Sequence, residues 1–154
     1  MATRWGWRSA SSSNATLIVA AAGTKFQVTE TSRGLGGSKY WALLNFRGGA
    51  AFANEVALTG RFFTAEEALA AALINRVAPE GQHLEVAREL AAEVAKNPPL
   101  SVRATVRTRR WYMEQLEREV IMQTAPLKLY LSEDFHEAAR AFAEKRKPGP
   151  FKGR

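Results

Sequence analysis

The sequence predicts a mostly helical domain in which one strand-and-loop element precedes a series of helices. Three patterns carry this prediction. Apolar residues repeat at helical spacing over most of the chain, Thr64 and Glu67 have the spacing of a capping box, and Pro98-Pro99 interrupts the second half. With 154 residues and 46% hydrophobic content, the chain is long enough for one globular domain with a modest core.

The first predicted elements are short. Residues 17–22 are compatible with a brief strand, and the alternation in TKFQVTE (24–30) predicts a strand that leads into a loop. The glycine-rich stretch RGLGGSK (33–39) predicts a turn, followed by a helix that starts near Gly37 or Ser38. After a break at Arg47-Gly48-Gly49, a second helix is expected to end at Gly60, a favoured residue at that position.

The remaining segments favour helices. Helices are predicted over residues 64–73, 83–96, 99–122 and 132–145, with NRVAP (75–79) as a short extended piece between the first two. An apolar stripe of Leu84, Ala87, Leu90, Ala91 and Val94 marks the second of these helices. Ser132 is a suitable N-cap for the last one. No extensive sheet is expected to be complete within this chain.

Composition and charge limit the possible functions. The absence of cysteine excludes disulfides, thiolate metal sites and cysteine nucleophiles. No apolar run approaches the roughly 18 residues of a membrane span. The net charge of +7 favours anionic partners, which include nucleic acid, anionic lipid and phosphorylated small molecules.

The first 22 residues differ in composition from the rest. They contain Arg, Ser and Ala and no acid, a composition that resembles a mitochondrial transit peptide; the alternative is a non-native start of the coding region. We therefore divide the chain into an atypical segment, residues 1–22, expected to be non-native or disordered, and a domain over residues 23–154.

Several residues are candidates for chemistry, and each has a simpler structural interpretation. Glu30 is the only acid in residues 1–50, and a carboxylate between a strand and a glycine loop can serve in acid–base chemistry or can be an ordinary loop residue. GLGGSK lacks the spacing of a phosphate loop or a dinucleotide fingerprint, so it predicts a turn, although a helix start there would suit an anion. His83 and His136 are isolated, and no metal site is predicted.

Two basic regions each allow more than one functional interpretation. Arg103, Arg107, Arg109 and Arg110 lie beside Trp111 and Tyr112, and such a group is either a solvated helix face or a surface for nucleic acid. At the C-terminus an apolar helix face with Phe135 and Phe142 runs directly into Lys145-Arg146-Lys147. This order suits a nucleic-acid tail, a solvated terminus or a cover over a phosphorylated ligand.

Five segments in consecutive order resemble the C-terminal half of the crotonase superfamily, the enoyl-CoA hydratase/isomerase proteins. They are GTKFQVTE (23–30), GLGGSKYWALL (34–44), EVALTGRFFTAEEALAAALINRVAP (55–79), NPPLSVRATVR (97–107) and SEDFHEAARAFAEKRKPGPFKGR (132–154). The resemblance implies a crotonase-like α/β fold, represented here mainly by its helical C-terminal region with a short strand element.

The same resemblance implies an activity and a site. Family members hold the thioester carbonyl of an acyl-CoA in an oxyanion hole and stabilise an enolate there, with two glutamates handling water and the proton. The second of these glutamates corresponds to Glu30, while Phe142 and Lys145 correspond to residues at the CoA adenine and phosphates, with Lys147 or Lys152 as helpers. CoA is then part of the substrate and no separate cofactor is implied.

The resemblance also implies a homo-oligomer, a trimer or hexamer in the family, and no membrane partner. A cytoplasmic location is expected, with the mitochondrial matrix as the alternative. The matching segments omit the first catalytic glutamate and the oxyanion-hole segments, so we expect a truncated and catalytically impaired protein. A non-catalytic acyl-CoA-binding or oligomerisation module is the first alternative, and a basic nucleic-acid-binding protein is a weaker one.

Overall fold

The computed structural model describes residues 15–154 and confirms a helix-rich fold with few short strands. The transit-peptide interpretation and most of the predicted atypical segment fall on residues 1–14, outside the described residues. Residues 15–22 join the fold, since strand β1 (Val19–Ala21) lies within them.

The described residues form two small sheets, each of two strands. β1 pairs in parallel with β4 (Arg76–Ala78), with Ala20 opposite Val77. β2 (Lys25–Gln27) pairs antiparallel with β3 (Phe62–Thr64), with Phe26 opposite Phe63. As predicted, residues 24–30 supply a strand that leads into a loop, and residues 75–79 supply a short strand.

The predicted helices all form. α1 (Ser38–Arg47) and α2 (Ala50–Thr59) lie between the two strands of the β2–β3 sheet in sequence, and α3 (Ala65–Ala70) follows β3 directly. α4 (His83–Ala95), α5 (Pro99–Thr124) and α6 (Glu133–Ala143) make up the second half. Short 3-10 turns cover Thr31–Arg33, Ala125–Leu127 and Leu129–Leu131.

Local chemistry explains where these helices start and stop. The predicted capping box is present at α3, where the Glu67 amide donates to Thr64 Oγ1 at 3.2 Å and the Thr64 amide donates to Glu67 Oε2 at 2.8 Å. Pro99 occupies the first turn of α5, where its missing N–H costs nothing. α3 ends earlier than the predicted residue 73 because Ala72 turns into the left-handed region at φ 57°, which sends Leu73 into the core.

The core lies between the β2–β3 sheet, α1, α2 and α3. Its largest fully buried side chains are Phe63, Leu43, Leu44, Leu73, Val28 and Val56. The Phe63 ring lies 5.4 Å from those of Phe26 and Phe52, and the contact with Phe52 is edge-to-face. This core holds β2, and therefore the loop that follows it, in a fixed place.

The second half is less buried. No residue of α4 is buried, and Met113 is the one buried residue of α5. The predicted apolar stripe of α4 is present and the helix contacts β1 and β4, but Leu84 at its start is 60% exposed. Among the described residues, no helix is both long and apolar enough to cross a membrane.

Candidate functional site

Glu30 sits in a turn whose backbone is closely held. β2 ends at Gln27, Val28 is fully buried, and Glu30 then opens the 3-10 turn Thr31–Arg33. The Glu30 carbonyl accepts hydrogen bonds from the amides of Arg33 at 3.1 Å and Leu35 at 2.9 Å. Its side chain is half-buried and makes no hydrogen bond or ion pair with any residue in the described part of the chain. The backbone of Glu30 is therefore held in place, while its carboxylate has no partner among the described residues.

The glycines after this turn permit close packing, and one of them, Gly34, lies against α6. A Cβ on Gly34, whose φ is 71°, would lie 2.9 Å from the backbone N and Cα of Phe135. A Cβ on Gly36 would lie 3.2 Å from the Leu129 side chain, and one on Gly37 would collide with the Thr31 hydroxyl. RGLGGSK is thus the predicted turn before α1, and Gly34 within it allows the Glu30 turn to lie against the terminal helix.

The candidate binding residue Phe142 lies in the last turn of α6. The helix is capped by Ser132, whose hydroxyl accepts from the Phe135 amide at 3.1 Å, as the sequence predicted. The Phe142 ring is 71% exposed, and the Arg33 guanidinium lies 4.9 Å from its centroid. Glu30 and Phe142, both predicted from sequence, therefore lie on elements in contact, and Arg33 joins them.

Sequence reasoning missed Arg33. It follows Glu30 by three residues, in a turn whose pattern says nothing about its partner. The ring that it covers lies on the last helix, and no local spacing rule relates the two positions. The only signal available in the sequence was an arginine beside a candidate catalytic carboxylate.

The basic tail is folded back on α6, and only some of its charges remain unneutralised. Arg146 pairs with Glu137 and with Glu144, each at 2.6 Å, and Lys152 pairs with Glu133 at 3.1 Å. Lys145 is in the left-handed region at φ 55° just past the helix. Neither Lys145 nor Lys147 forms an ion pair with a described residue. Lys145 and Lys147 therefore remain available to an anion, whereas Lys152 is already paired.

Glu137 anchors this folded tail. Its Oε1 accepts from Arg146 Nη1 at 2.6 Å and from the Gly149 amide at 2.8 Å. These bonds, the one from Arg146 first, lower the pKa of Glu137 to about 2. The carboxylate is charged across the physiological range and fixes the path of residues 146–149.

The grooves of the described surface differ in charge. One of about 560 Å³ lies between α6 and the tail and is lined by Glu133, Asp134, His136, Glu137, Arg140, Gly149, Pro150 and Lys152. Three carboxylates and two permanent cations, Arg140 and Lys152, line it, so the groove offers a phosphate group no net positive charge. Across the described residues there is no cluster of three or more metal-ligating side chains, and neither His83 nor His136 belongs to one.

A second groove of about 470 Å³ runs along α5. It is lined by Val102, Arg103, Val106, Arg107, Arg110, Trp111 and Glu114. Three of the four arginines predicted as one basic cluster thus share a face, but Arg109 does not. Arg109 turns toward the body of the protein, where it and Arg47 both donate to the Ala15 carbonyl, at 3.1 and 2.8 Å. Burial, and then the charge of Arg109, lower the pKa of Arg47 to about 10.

Comparison with known proteins identifies the class to which this fold and site belong. The sequence model of the family described as enoyl-CoA hydratase/isomerase matches residues 12–154. The chain therefore belongs to the enoyl-CoA hydratase/isomerase family, within the crotonase superfamily, as the sequence predicted.

Individual relatives agree with this assignment. The chain is 44% identical over 96 residues to enoyl-CoA hydratase EchA19 of Mycobacterium tuberculosis. It is 34% identical over 141 residues, 88% of its length, to mevalonyl-coenzyme A hydratase sidH of Aspergillus fumigatus. The crystal structure of carnitinyl-CoA hydratase from Mycobacterium avium superposes on 93% of the chain with a TM-score of 0.73 and 32% identity. The crotonase-like α/β fold is thereby confirmed.

The matches cover only part of those proteins. The chain spans 36% of EchA19, 52% of sidH and 57% of the carnitinyl-CoA hydratase chain. These figures match the expectation that the resemblance is to roughly one half of a family member.

Proposed function

We propose that the protein acts on an acyl-CoA thioester, with Glu30 transferring a proton during hydration or isomerisation of an enoyl-CoA. The observation that carries this proposal is the half-buried Glu30 carboxylate, which has no partner among the described residues and lies on a turn packed against α6. Phe142 in the last turn of that helix supplies a ring, and Lys145 just after the helix supplies an ammonium group, for the nucleotide end of the ligand.

We assign Glu30 to the reacting end of the ligand and Phe142 with Lys145 to its nucleotide end. In hydration, water adds across the double bond so that its oxygen joins one carbon and a proton joins the other; a carboxyl group can deliver or remove that proton. In isomerisation, the same group moves a proton between two carbons of the enolate. Glu30 is suited to this step because its backbone is held by two hydrogen bonds while its side chain remains reachable.

At the other end of the ligand, an exposed ring and an ammonium group with no ion pair to a described residue are suited to an adenine with phosphates. We assign Phe142 to the adenine and Lys145 to a phosphate, with Lys147 as the helper. Lys152 is less suited, because its Nζ is already paired with Glu133 at 3.1 Å. We also propose a homo-oligomer, and the expected cytoplasmic location stays a prediction.

Calorimetric titration with CoA tests the binding part of this proposal. CoA is expected to bind more tightly than inorganic tripolyphosphate, a triphosphate that lacks adenine, and Lys145→Ala is expected to weaken CoA binding by about tenfold. Lys96→Ala is the matched control, because Lys96 is an exposed lysine paired with Glu93 on another helix. Equal affinity for both ligands, or an unchanged Lys145→Ala variant, would show that the tail is an ordinary charged terminus.

A steady-state assay on a short 2-enoyl-CoA tests the chemical part. The 154-residue chain by itself is expected to turn over substrate negligibly, because the segments that resemble the family do not include those that supply the first glutamate and the oxyanion donors. Any residual rate is expected to fall when Glu30 is replaced by Gln, a change that keeps size and removes the proton acceptor. A clear rate that Glu30→Gln leaves intact would assign the proton transfer elsewhere.

A non-catalytic acyl-CoA-binding or oligomerisation module is the second candidate. The observation that favours it is the number of large apolar side chains that remain more than half exposed on α4, α5 and residues 127–131. Binding of CoA with no effect of Glu30→Gln on any reaction, together with stable self-association, is the result expected for such a module.

A further inference from the structure

Arg33 occupies a position between the two ends of the candidate site. Its guanidinium carbon lies 4.9 Å from the centroid of the Phe142 ring, and its own turn begins at Glu30. One face of the ring is therefore covered by a cation, while the ring as a whole remains 71% exposed. An aromatic ligand group can stack on the remaining surface without displacing the arginine.

The charge of Arg33 is not neutralised by any carboxylate in the described part of the chain. Arg146, four residues after Phe142 in the chain, differs in this respect, because it is paired with two glutamates. A cation–π contact at an exposed ring is weak compared with a charge-assisted, bidentate hydrogen bond from guanidinium to phosphate. Arg33 thus has donor capacity that its contact with Phe142 does not use.

The turn ties Arg33 to Glu30. The Arg33 and Leu35 amides both donate to the Glu30 carbonyl, and Gly34 packs against the Phe135 backbone of α6. An anion bound by the Arg33 side chain would limit the motion of this turn at its C-terminal side. The base of the Glu30 side chain would be restrained with it.

We propose that Arg33 is a phosphate-binding residue of the nucleotide end of the site and, through its turn, a positioning residue for Glu30. This inference rests on the proposed acyl-CoA function and adds to it a residue and a physical link between nucleotide binding and the catalytic carboxylate. The ligand group recognised is a phosphate or pyrophosphate next to an aromatic base.

The test uses the full chain and CoA as the probe. Titration calorimetry at fixed ionic strength is run on wild type, Arg33→Gln, Arg33→Lys and Arg88→Gln. Arg88 is an exposed arginine on α4 without an ion pair to a described residue, so its variant matches the loss of one positive charge. Arg33→Gln is expected to weaken CoA binding by about tenfold, Arg33→Lys by less because it keeps the charge, and Arg88→Gln hardly at all.

A second readout tests the link to Glu30. In wild type, CoA is expected to shift the backbone amide resonance of Leu35, whose N–H is bound to the Glu30 carbonyl. In Arg33→Gln at saturating CoA this shift is expected to be lost, while the resonance of the Lys145 amide still responds. A purely structural arginine would change melting temperature without separating these two responses.

The outcomes distinguish this inference from the function on which it rests. If wild type does not bind CoA, the proposed function fails and the role of Arg33 fails with it. If wild type binds CoA and Lys145→Ala weakens binding, but Arg33→Gln behaves like Arg88→Gln, the proposed function stands and the role of Arg33 is overturned. Weakened binding in Arg33→Gln with an undiminished Leu35 shift overturns the link to Glu30.

Discussion

Gly34 is the residue on which the approach of the Glu30 turn to α6 depends. It has a φ of 71° and no space for a Cβ, which would lie 2.9 Å from the Phe135 backbone. Gly81 has a similar φ of 82°, yet nothing lies within 4 Å of its missing Cβ. Substitution of each glycine by alanine therefore distinguishes the energetic cost of a left-handed backbone, present at both, from that of a steric collision, present only at Gly34.

We predict that Gly34→Ala destabilises the fold more than Gly81→Ala. The backbone term is about 1–2 kcal/mol at both positions, and the collision adds about 1–3 kcal/mol at Gly34 alone. Urea denaturation of both variants measures the difference in the free energy of unfolding. Equal losses would mean that the turn and α6 can separate at little cost.

The lowered pKa of Glu137 predicts how the docking of the C-terminal tail on α6 depends on pH. Arg146 and the Gly149 amide hold its pKa at about 2, below the ordinary value of 4.5. A carboxyl whose pKa is depressed by folding stabilises the folded arrangement fully above its ordinary pKa and loses that effect as the pH falls toward the depressed value. The docked tail is therefore predicted to loosen between pH 4.5 and about 2.

The amide resonance of Gly149 reports this loosening directly. It is expected to move over that acidic range in wild type and to show no such titration in Glu137→Gln. The Phe135 amide, bound to the neutral Ser132 hydroxyl, serves as the control that α6 is still folded. Simultaneous movement of both resonances would indicate unfolding of the helix instead of release of the tail.

Among the helices, α3 has the most complete start signal. Two reciprocal hydrogen bonds join Thr64 and Glu67, and Glu67 also pairs with Arg61 at 2.9 Å. Thr64→Ala removes the hydroxyl acceptor and is predicted to cost about 1 kcal/mol of unfolding free energy, within the usual range for an N-cap. Thr64→Ser keeps the acceptor and is expected to lose less in the same denaturation experiment. A serine variant as unstable as the alanine variant would point to the lost methyl group as the cause.

Sequence patterns predicted the elements that depend on residues close together in the chain, and they did not predict features that depend on distant residues. The glycine-rich turn before Ser38, the apolar stripe from Leu84 and the Pro98-Pro99 break act within a few residues, so the starts of α1, α4 and α5 were correctly predicted. The pairing of β1 with β4 joins segments 57 positions apart, as between Val19 and Arg76, and no local pattern encodes it. The α4 stripe predicted a helix correctly, but periodicity does not say what covers an apolar face.

The candidate site likewise contains residues that the sequence indicated and contacts that only the tertiary structure shows. The sequence alone singled out Glu30, and resemblance to the family added Phe142 and Lys145; their roles stay predictions. The contact between the two regions depends on Gly34 meeting Phe135 and on Arg33 meeting the Phe142 ring. Both are tertiary contacts between the first and last parts of the chain, which only the fold brings together.

The distribution of apolar surface bears on how the chain exists in solution. Large apolar side chains that are more than half exposed include Leu84, Leu100, Trp111, Tyr112, Ile121, Met122, Leu127, Tyr130 and Leu131. Five of them fall within residues 121–131, at the end of α5 and the 3-10 turns that follow. Soluble monomers rarely leave so much apolar surface in one region uncovered.

We predict that the chain self-associates through residues 121–131. Covering several large apolar side chains gains about 25 cal/mol for each Å² removed from water, which favours association where the surfaces fit. The double variant Met122→Glu, Leu127→Glu is expected to shift sedimentation velocity profiles toward smaller species. Leu58→Glu, at a 74% exposed site on α2, is the matched control and is expected to leave them unchanged. A wild-type chain that sediments as a monodisperse monomer and melts cooperatively would contradict this prediction, because the exposed apolar surface would then be tolerated without a partner.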